Sequence, residues 1–390
     1  MPPRHPKPKA PLRSAPPPAT AGPPQAEAGG ILSIDLAAIA ENYRMLTSRV
    51  LPAECAAVVK ADGYGCGLDQ VTARLIKAGC KTFFVAQLAE ARRVRALTPD
   101  AVIYVLNGFS TGTGPAFMAA AAQPVINSAI DLAEWDQFVA ASGWRGGIGL
   151  HVDTGMNRLG LSLEEAAGLA PRIHASHHGI TLLMSHFACA ELPTHPLNAQ
   201  QIQRFREIRT LYRGIPASLA NSSGIFLGSA AHCDMVRPGA ALYGINPTPG
   251  APNPMQPVVE LKGRVLQIRD VAPGNTVGYD ATWTAQRQSR LAVVAAGYAD
   301  GYPRAAAASE HEPGRQVIVA GTRCRIVGRI SMDLIALDVT DLAEAAVHRG
   351  DLVTLIGGEL SLDEVAAQAG SIGYELLSNL GRRYHRIWTG

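Results

Sequence analysis

At 390 residues the chain is long enough for two domains and a large core. Its 47% hydrophobic content is ordinary for a globular protein, and a net charge of +3 is too small to suggest nucleic acid or an anionic membrane as partner. Six scattered cysteines (Cys55, Cys66, Cys80, Cys189, Cys233, Cys324) form no CxxC pair, which argues against a disulfide framework or zinc cluster. No apolar run approaches the ~20 residues of a membrane span, so a soluble, cytoplasmic protein is expected.

In chain order, residues 1–30 are rich in Pro and Ala, basic at the start and almost empty of large apolar side chains. They lack the apolar core of a secretory signal and cannot bury enough surface to offset their ordering entropy, so a disordered tail is predicted. Ile31–Asp35 is a strand that could join either domain.

From Ala53 short apolar runs alternate with longer helical stretches. The runs are Glu54–Lys60, Thr82–Gln87, Val102–Leu106, Pro124–Asn127, Gly147–Asp153, Ile180–His186, Ala217–Asn221 and Met235–Arg237. Between them Asp69–Ala78, Leu88–Ala96 and Ser162–Ile173 repeat apolar residues at helical spacing. Eight strand–helix units in roughly 200 residues predict an α/β fold, a (β/α)8 TIM barrel over 31–256. The last three runs are short and polar at their ends, which leaves their boundaries least defined.

Asn246–Pro257 is a Pro-rich linker, and beyond it helical spacing largely disappears. Val258–Arg269, Arg290–Ala296, Gln316–Val319, Arg323–Val327, Ile335–Val339 and Leu352–Ile356 read as strands, with one helix at Leu362–Ala369 capped by Ser361. A mainly β C-terminal domain over 257–390 follows.

The first barrel run ends on Lys60 and breaks at once into a glycine-rich turn, with Tyr64 four residues on. The carboxyl end of a parallel barrel strand is where active sites form. An amine there, shifted in pKa by burial, suits imine chemistry with an aldehyde cofactor. Taken alone, a solvated rim lysine is the commoner reading. The full stretch VVKADGYGCG, however, resembles the cofactor-lysine motif of the alanine racemase family, and further motifs follow in the family's order from Ile31 to the C-terminus.

The resemblance implies a homodimer with shared active sites, an amino-acid substrate, and pyridoxal 5′-phosphate held covalently by Lys60. Tyr279 in VGYDATW resembles the second catalytic base, supplied by the partner subunit. Arg158 in VDTGMNRLG resembles the arginine that anchors the substrate carboxylate, to which a guanidinium fork is suited. His186 in SHFACAE is implied as a tuning residue linking tyrosine and arginine. Ser222 in ANSSGIF, with Gly239 and Ala240 in MVRPGAALYG, matches the phosphate contacts, as do Tyr64 and Tyr374. Loops after the last two strands commonly bind phosphate in such barrels. Arg237 resembles the arginine that faces the pyridine nitrogen. A group that stays protonated cannot pass a proton to that nitrogen, so the ring remains a weaker electron sink and side reactions such as transamination are limited. Tyr298 in GYADGYPR and Met332 in GRISMDLI match the segments that narrow the entrance and touch the substrate, again across the dimer.

One position departs from the pattern. Many members carry a carbamylated lysine where this chain has His151, and a histidine forms no such stable carbamate; another carboxylate or a bound anion would then hold Arg158. His174, His177 and His178 have no partner spacing and read as surface residues, so no metal site is expected. Rival readings are a broader amino-acid racemase, a barrel decarboxylase of basic amino acids, and a non-catalytic cofactor carrier. The β module with Tyr279 speaks against the carrier, which is a barrel alone, and the Arg237 and Tyr279 motifs speak against the decarboxylase.

Overall fold

The computed structural model describes residues 22–175, 177–307 and 315–390. The expected tail therefore lies mostly outside the described residues. Its last part is an exception: Pro23 O accepts from His385 Nδ1 at 2.9 Å, Gln25 O accepts from Arg264 at 3.2 Å, and Ala28 is buried. The predicted disorder thus fails for 22–30, whose backbone is fastened to the C-terminal domain.

All eight predicted runs contain a barrel strand: Glu54–Cys55 with Ala57–Val58, Thr82–Val85, Val102–Val105, Gln123–Ile126, Ile148–His151, Ile180–Met184, Ala217–Ser218 and Met235–Val236. Neighbours pair in parallel, and Met235–Val236 closes the ring on Glu54–Cys55. Both strand faces are apolar for a reason. Alternate side chains (Ala56, Val58, Phe84, Tyr104, Val125, Leu182, Met184, Met235) fill the barrel interior, while Ala57, Phe83, Val85 and Ile103 pack outward beneath the helices. Phe84 and Tyr104 stack inside, with centroids 4.9 Å apart. The helices Leu68–Lys77 and Leu88–Leu97 stand where predicted, and Ser162 caps Leu163–Leu169, which tightens into a 3-10 turn over Ala170–His174.

The C-terminal domain is mainly antiparallel β, as expected. Its strands run Ser289–Ala295, Leu334–Asp338, Thr322–Val327, Gln316–Val319, Leu352–Ile356, Val259–Val271, and the last pairs back with the first to close a second barrel. Gly30–Asp35 extends this sheet, antiparallel to Val259–Val271 and parallel to His385–Thr389, so the open assignment of this strand resolves to the C-terminal sheet. The following helix, Leu36–Val50, returns to the first barrel: Tyr43 donates to Cys55 O at 3.0 Å and Asn42 to Leu242 O at 3.2 Å. Among the described residues no helix is long and apolar enough to cross a membrane.

Candidate active site

The carboxyl ends of the barrel strands open into a cavity of about 640 Å³. It gathers Lys60, Tyr64, Arg158, His186, Ser222, Arg237, Gly239, Ala240 and Tyr374, which are all of the barrel-side candidates and the one from the C-terminal helix. A larger depression on the β domain is a surface groove along Leu266–Asp270; its Arg290 is committed to backbone carbonyls.

Lys60 is positioned by an unusual turn. Ala61, Asp62 and Tyr64 take φ of +54°, +55° and +53°, with Gly63 and Gly65 also positive. Each non-glycine residue there costs about 1 kcal/mol or more. Specific contacts offset that strain. Glu90 accepts from Ala61 N at 2.7 Å with one oxygen and from Ala86 N and Gln87 N with the other. The Asp62 carboxylate pairs with Arg93 at 2.8 Å and accepts from Leu68 N. From the β domain, Trp388 donates to Cys66 O at 2.7 Å. Burial lowers the pKa of the Lys60 amine, and the Arg158 charge lowers it further against the opposing pull of Glu90.

Arg237 follows the last barrel strand and lines the cavity, only 3% exposed. Its guanidinium donates to Ser218 Oγ and Ser185 O, both at 2.5 Å, and meets His186 Nδ1 at 3.3 Å. Burial brings its pKa down to about 10, still far above neutrality. Burial, then Arg237, pushes His186 well below the ordinary imidazole range. His151 is depressed to about 4, first by burial and then by Arg237. The cavity thus concentrates fixed positive charge beside two neutral imidazoles.

Ser222 Oγ accepts from Gly239 N at 3.0 Å and Ala241 N at 3.1 Å, folding the last two strand-end loops onto each other. Tyr64 stacks on Tyr243 with centroids 4.6 Å apart, and its hydroxyl reaches this corner. A Cβ on Gly239 would stand 2.2 Å from Tyr64 Oη, so only glycine fits. A phosphorylated aldehyde cofactor suits this donor set: an amine for the aldehyde, a guanidinium for a ring nitrogen, and hydroxyls with loop amides for the phosphate.

Tyr279, Tyr298 and Met332 do not line the cavity of their own chain. They are 69%, 44% and 52% exposed on the β domain. Their segments adjoin: Tyr298 N donates to Ser331 O, Ala299 N donates to Met332 O, and Asp280 pairs with Arg329 at 3.1 Å. Of the three candidate surface histidines, His174 and His177 are exposed, whereas His178 is half-buried and accepts from Ile180 N. Among the described residues no group of His, Cys, Asp and Glu is arranged to hold a metal.

Several contributors went unnoticed in the sequence. Glu90 had a readable signal, the Gln87–Glu90 capping-box spacing, though not its reach to the lysine turn. Asn127 follows the strand Gln123–Ile126 and His151 ends the next strand, Ile148–His151; the Asn127 Oδ1 lies 2.8 Å from His151 Nδ1. Ser218 and Ser185, the acceptors for Arg237, carried no signal at all.

The depressed His151 predicts an acid sensitivity. The unfolded chain binds its proton near 6.5 and the folded chain only near 4, so protons favour unfolding. Stability should fall as pH drops below about 6.5, with the loss complete below about 4 and amounting to about 3 kcal/mol for this group. Denaturant titrations of the cofactor-free chain at several pH values should show a flatter dependence in His151→Gln.

The family models for "Alanine racemase, N-terminal domain" and "Alanine racemase, C-terminal domain" match residues 34–247 and 258–388. A protein of Methylobacterium nodulans named alanine racemase is 54% identical, over 92% of this chain and 95% of its own. A Mesorhizobium japonicum protein named "Alanine racemase, catabolic" is 46% identical, over 94% of this chain and 95% of its own. Among solved structures, alanine racemase from Bartonella henselae with covalently bound pyridoxal phosphate superposes with a TM-score of 0.87 at 38% identity, over 93% of this chain and 100% of that one.

Proposed function

The chain belongs to the alanine racemase family, as a pyridoxal 5′-phosphate-dependent isomerase that racemises alanine, and we propose that it works with two bases, Lys60 and Tyr279 of the partner subunit. The carrying observation is the convergence of Lys60, Arg237 and the Ser222–Gly239–Tyr64 corner in one cavity at the strand ends. When bound, the cofactor supplies an aldehyde that condenses with amines and a ring that delocalises negative charge from Cα.

The residues divide the remaining work. Ser222, Gly239, Ala240, Tyr64 and Tyr374 would receive the phosphate. Arg237 would face the ring nitrogen and, being unable to yield a proton at neutral pH, keep the ring a modest electron sink. Arg158 would hold the substrate carboxylate. Once its amine is free, Lys60 moves a proton at Cα on one face; its lowered pKa favours the neutral, proton-accepting form.

The opposite face needs a second acid/base group, and the exposed Tyr279 is the candidate. A large side chain 69% exposed beside Tyr298 and Met332 suits a surface that a second copy covers. A two-fold dimer would give two equivalent shared sites. A free phenol has a pKa of about 10 and needs cationic surroundings to act as a base near neutrality, and the Arg158–Arg237 cavity offers them. Tyr298 would then narrow the entrance towards a small side chain, and the Met332 backbone amide would contact the substrate carboxylate. The setting is read as cytoplasmic, with D-alanine destined for peptidoglycan or with alanine being catabolised.

Circular dichroism of L-alanine with protein and cofactor should decay to the zero signal of a racemate. An unchanged signal would overturn the reading, carbon dioxide release from lysine or arginine would favour a decarboxylase, and equal rates on serine would broaden the substrate class.

A further inference from the structure

We propose that Glu90 is a positioning residue for Lys60: its carboxylate fixes the peptide that follows the lysine and supplies the amine with a counter-charge to Arg158. Three backbone donors converge on it. Ala61 N donates to one oxygen at 2.7 Å, while Ala86 N and Gln87 N donate to the other at 2.9 and 3.0 Å. Ala61 N belongs to the peptide that leaves Lys60. Its orientation therefore sets the direction of the Lys60 Cα–Cβ bond against the end of the second barrel strand. A carboxylate accepts at both ends; a carboxamide of the same shape would turn an NH2 group on at least one of these donors.

Arg93, one turn further along the same helix, takes the next residue of the lysine turn. It pairs with Asp62 at 2.8 Å and with Asp69 at 3.0 Å. The helix Leu88–Leu97 thus grips two consecutive residues of a left-handed run that L-residues disfavour. The two grips differ in charge. Asp62 and Asp69 are answered by Arg93, whereas among the described residues no cation pairs with Glu90, which keeps its negative charge beside the lysine. Burial and then Arg158 lower the pKa of the Lys60 amine, and Glu90 is the anion that opposes them. The other titratable groups around the amine are His186, which is neutral, and Tyr64, which burial keeps protonated. An amine too weak to take a proton from Cα is as poor a base as one already protonated, and Glu90 works against the first of these.

The inference rests on the reading of Lys60 as cofactor amine and base, and the measurements separate the two. In the holoenzyme, backbone amide exchange of the Lys60–Gly67 segment in heavy water, read by mass spectrometry, should run about ten- to a hundredfold faster in Glu90→Gln. The second readout is exchange of the alanine Cα hydrogen, taken for the enantiomer that still exchanges in Tyr279→Phe. Its rate should fall at low pH as Lys60 takes up a proton. That acid limb should lie at lower pH in Glu90→Gln, because the carboxylate no longer favours the charged amine. Glu90→Asp keeps the charge but shortens the reach, so it should speed amide exchange and leave the limb close to wild type. A limb that stays in place or moves to higher pH in Glu90→Gln overturns the inference. Amide exchange unchanged in Glu90→Asp overturns it too, even if Glu90→Gln does not fold. Borohydride reduction checks the reading beneath: cofactor recovered away from Lys60 sinks that reading, whereas cofactor on Lys60 with neither effect sinks the role of Glu90 alone.

Discussion

Lys60→Ala is expected to lower racemisation by more than about 10⁴-fold. A single positioned acid/base group contributes about 10² to 10⁴ on its own, and Lys60 would also supply the covalent attachment of the cofactor. Fold stability should not fall with activity. Burial and Arg158 disfavour the lysine's charge, so the native state gains little from the ammonium, and the lysine turn is held by Glu90, Asp62 and Trp388 through backbone and neighbouring groups. Thermal melts of the cofactor-free proteins should therefore be equal, or favour the variant. Borohydride reduction of the wild-type holoenzyme should leave the cofactor on the peptide that contains Lys60. Turnover within tenfold of wild type in Lys60→Ala, or the cofactor recovered on another peptide, would remove the basis of the proposed mechanism.

The barrel was legible because its strands are apolar on both faces and its helices on one, two periods that sequence separates well. The strand ends carry the chemistry, so the candidates of the barrel fell into one cavity once the strands were placed. What the sequence could not give was contact across distance. Gly30–Asp35 pairs with strands beginning at Val259 and His385, and nothing local in GILSID distinguishes that partner from a barrel strand. The hairpin of Thr276–Val277 and Trp283–Thr284 is too short for any periodicity to register, and the left-handed turn after Lys60 includes an alanine and a tyrosine that propensity disfavours there. His151 was visible as a departure; its partner Asn127 was not, because an asparagine closing a strand reads equally as a turn residue.

Tyr279→Phe is expected to lower racemisation about 10² to 10⁴-fold while leaving cofactor binding intact, since the residue lies outside the cavity of its own chain. In heavy water, exchange of the Cα hydrogen should persist from the enantiomer served by Lys60 and vanish from the other. The location of Tyr279 is tested more sharply by mixing two dead variants. If each site joins Lys60 of one chain to Tyr279 of its partner, a mixed dimer of Lys60→Ala and Tyr279→Phe has one site with both defects and one with neither. Random reassortment makes half the dimers mixed, so about a quarter of wild-type activity should return. If both residues served the same chain, every site in the mixed dimer would keep one defect and nothing would return. Recovery therefore separates a shared site from a self-contained one without any structure of the assembly, and a full-activity monomer would refute the shared site outright. The exposed Tyr279, Tyr298 and Met332 surface makes recovery the expected outcome, because a phenol that does not line the cavity of its own chain would serve a substrate bound in another copy.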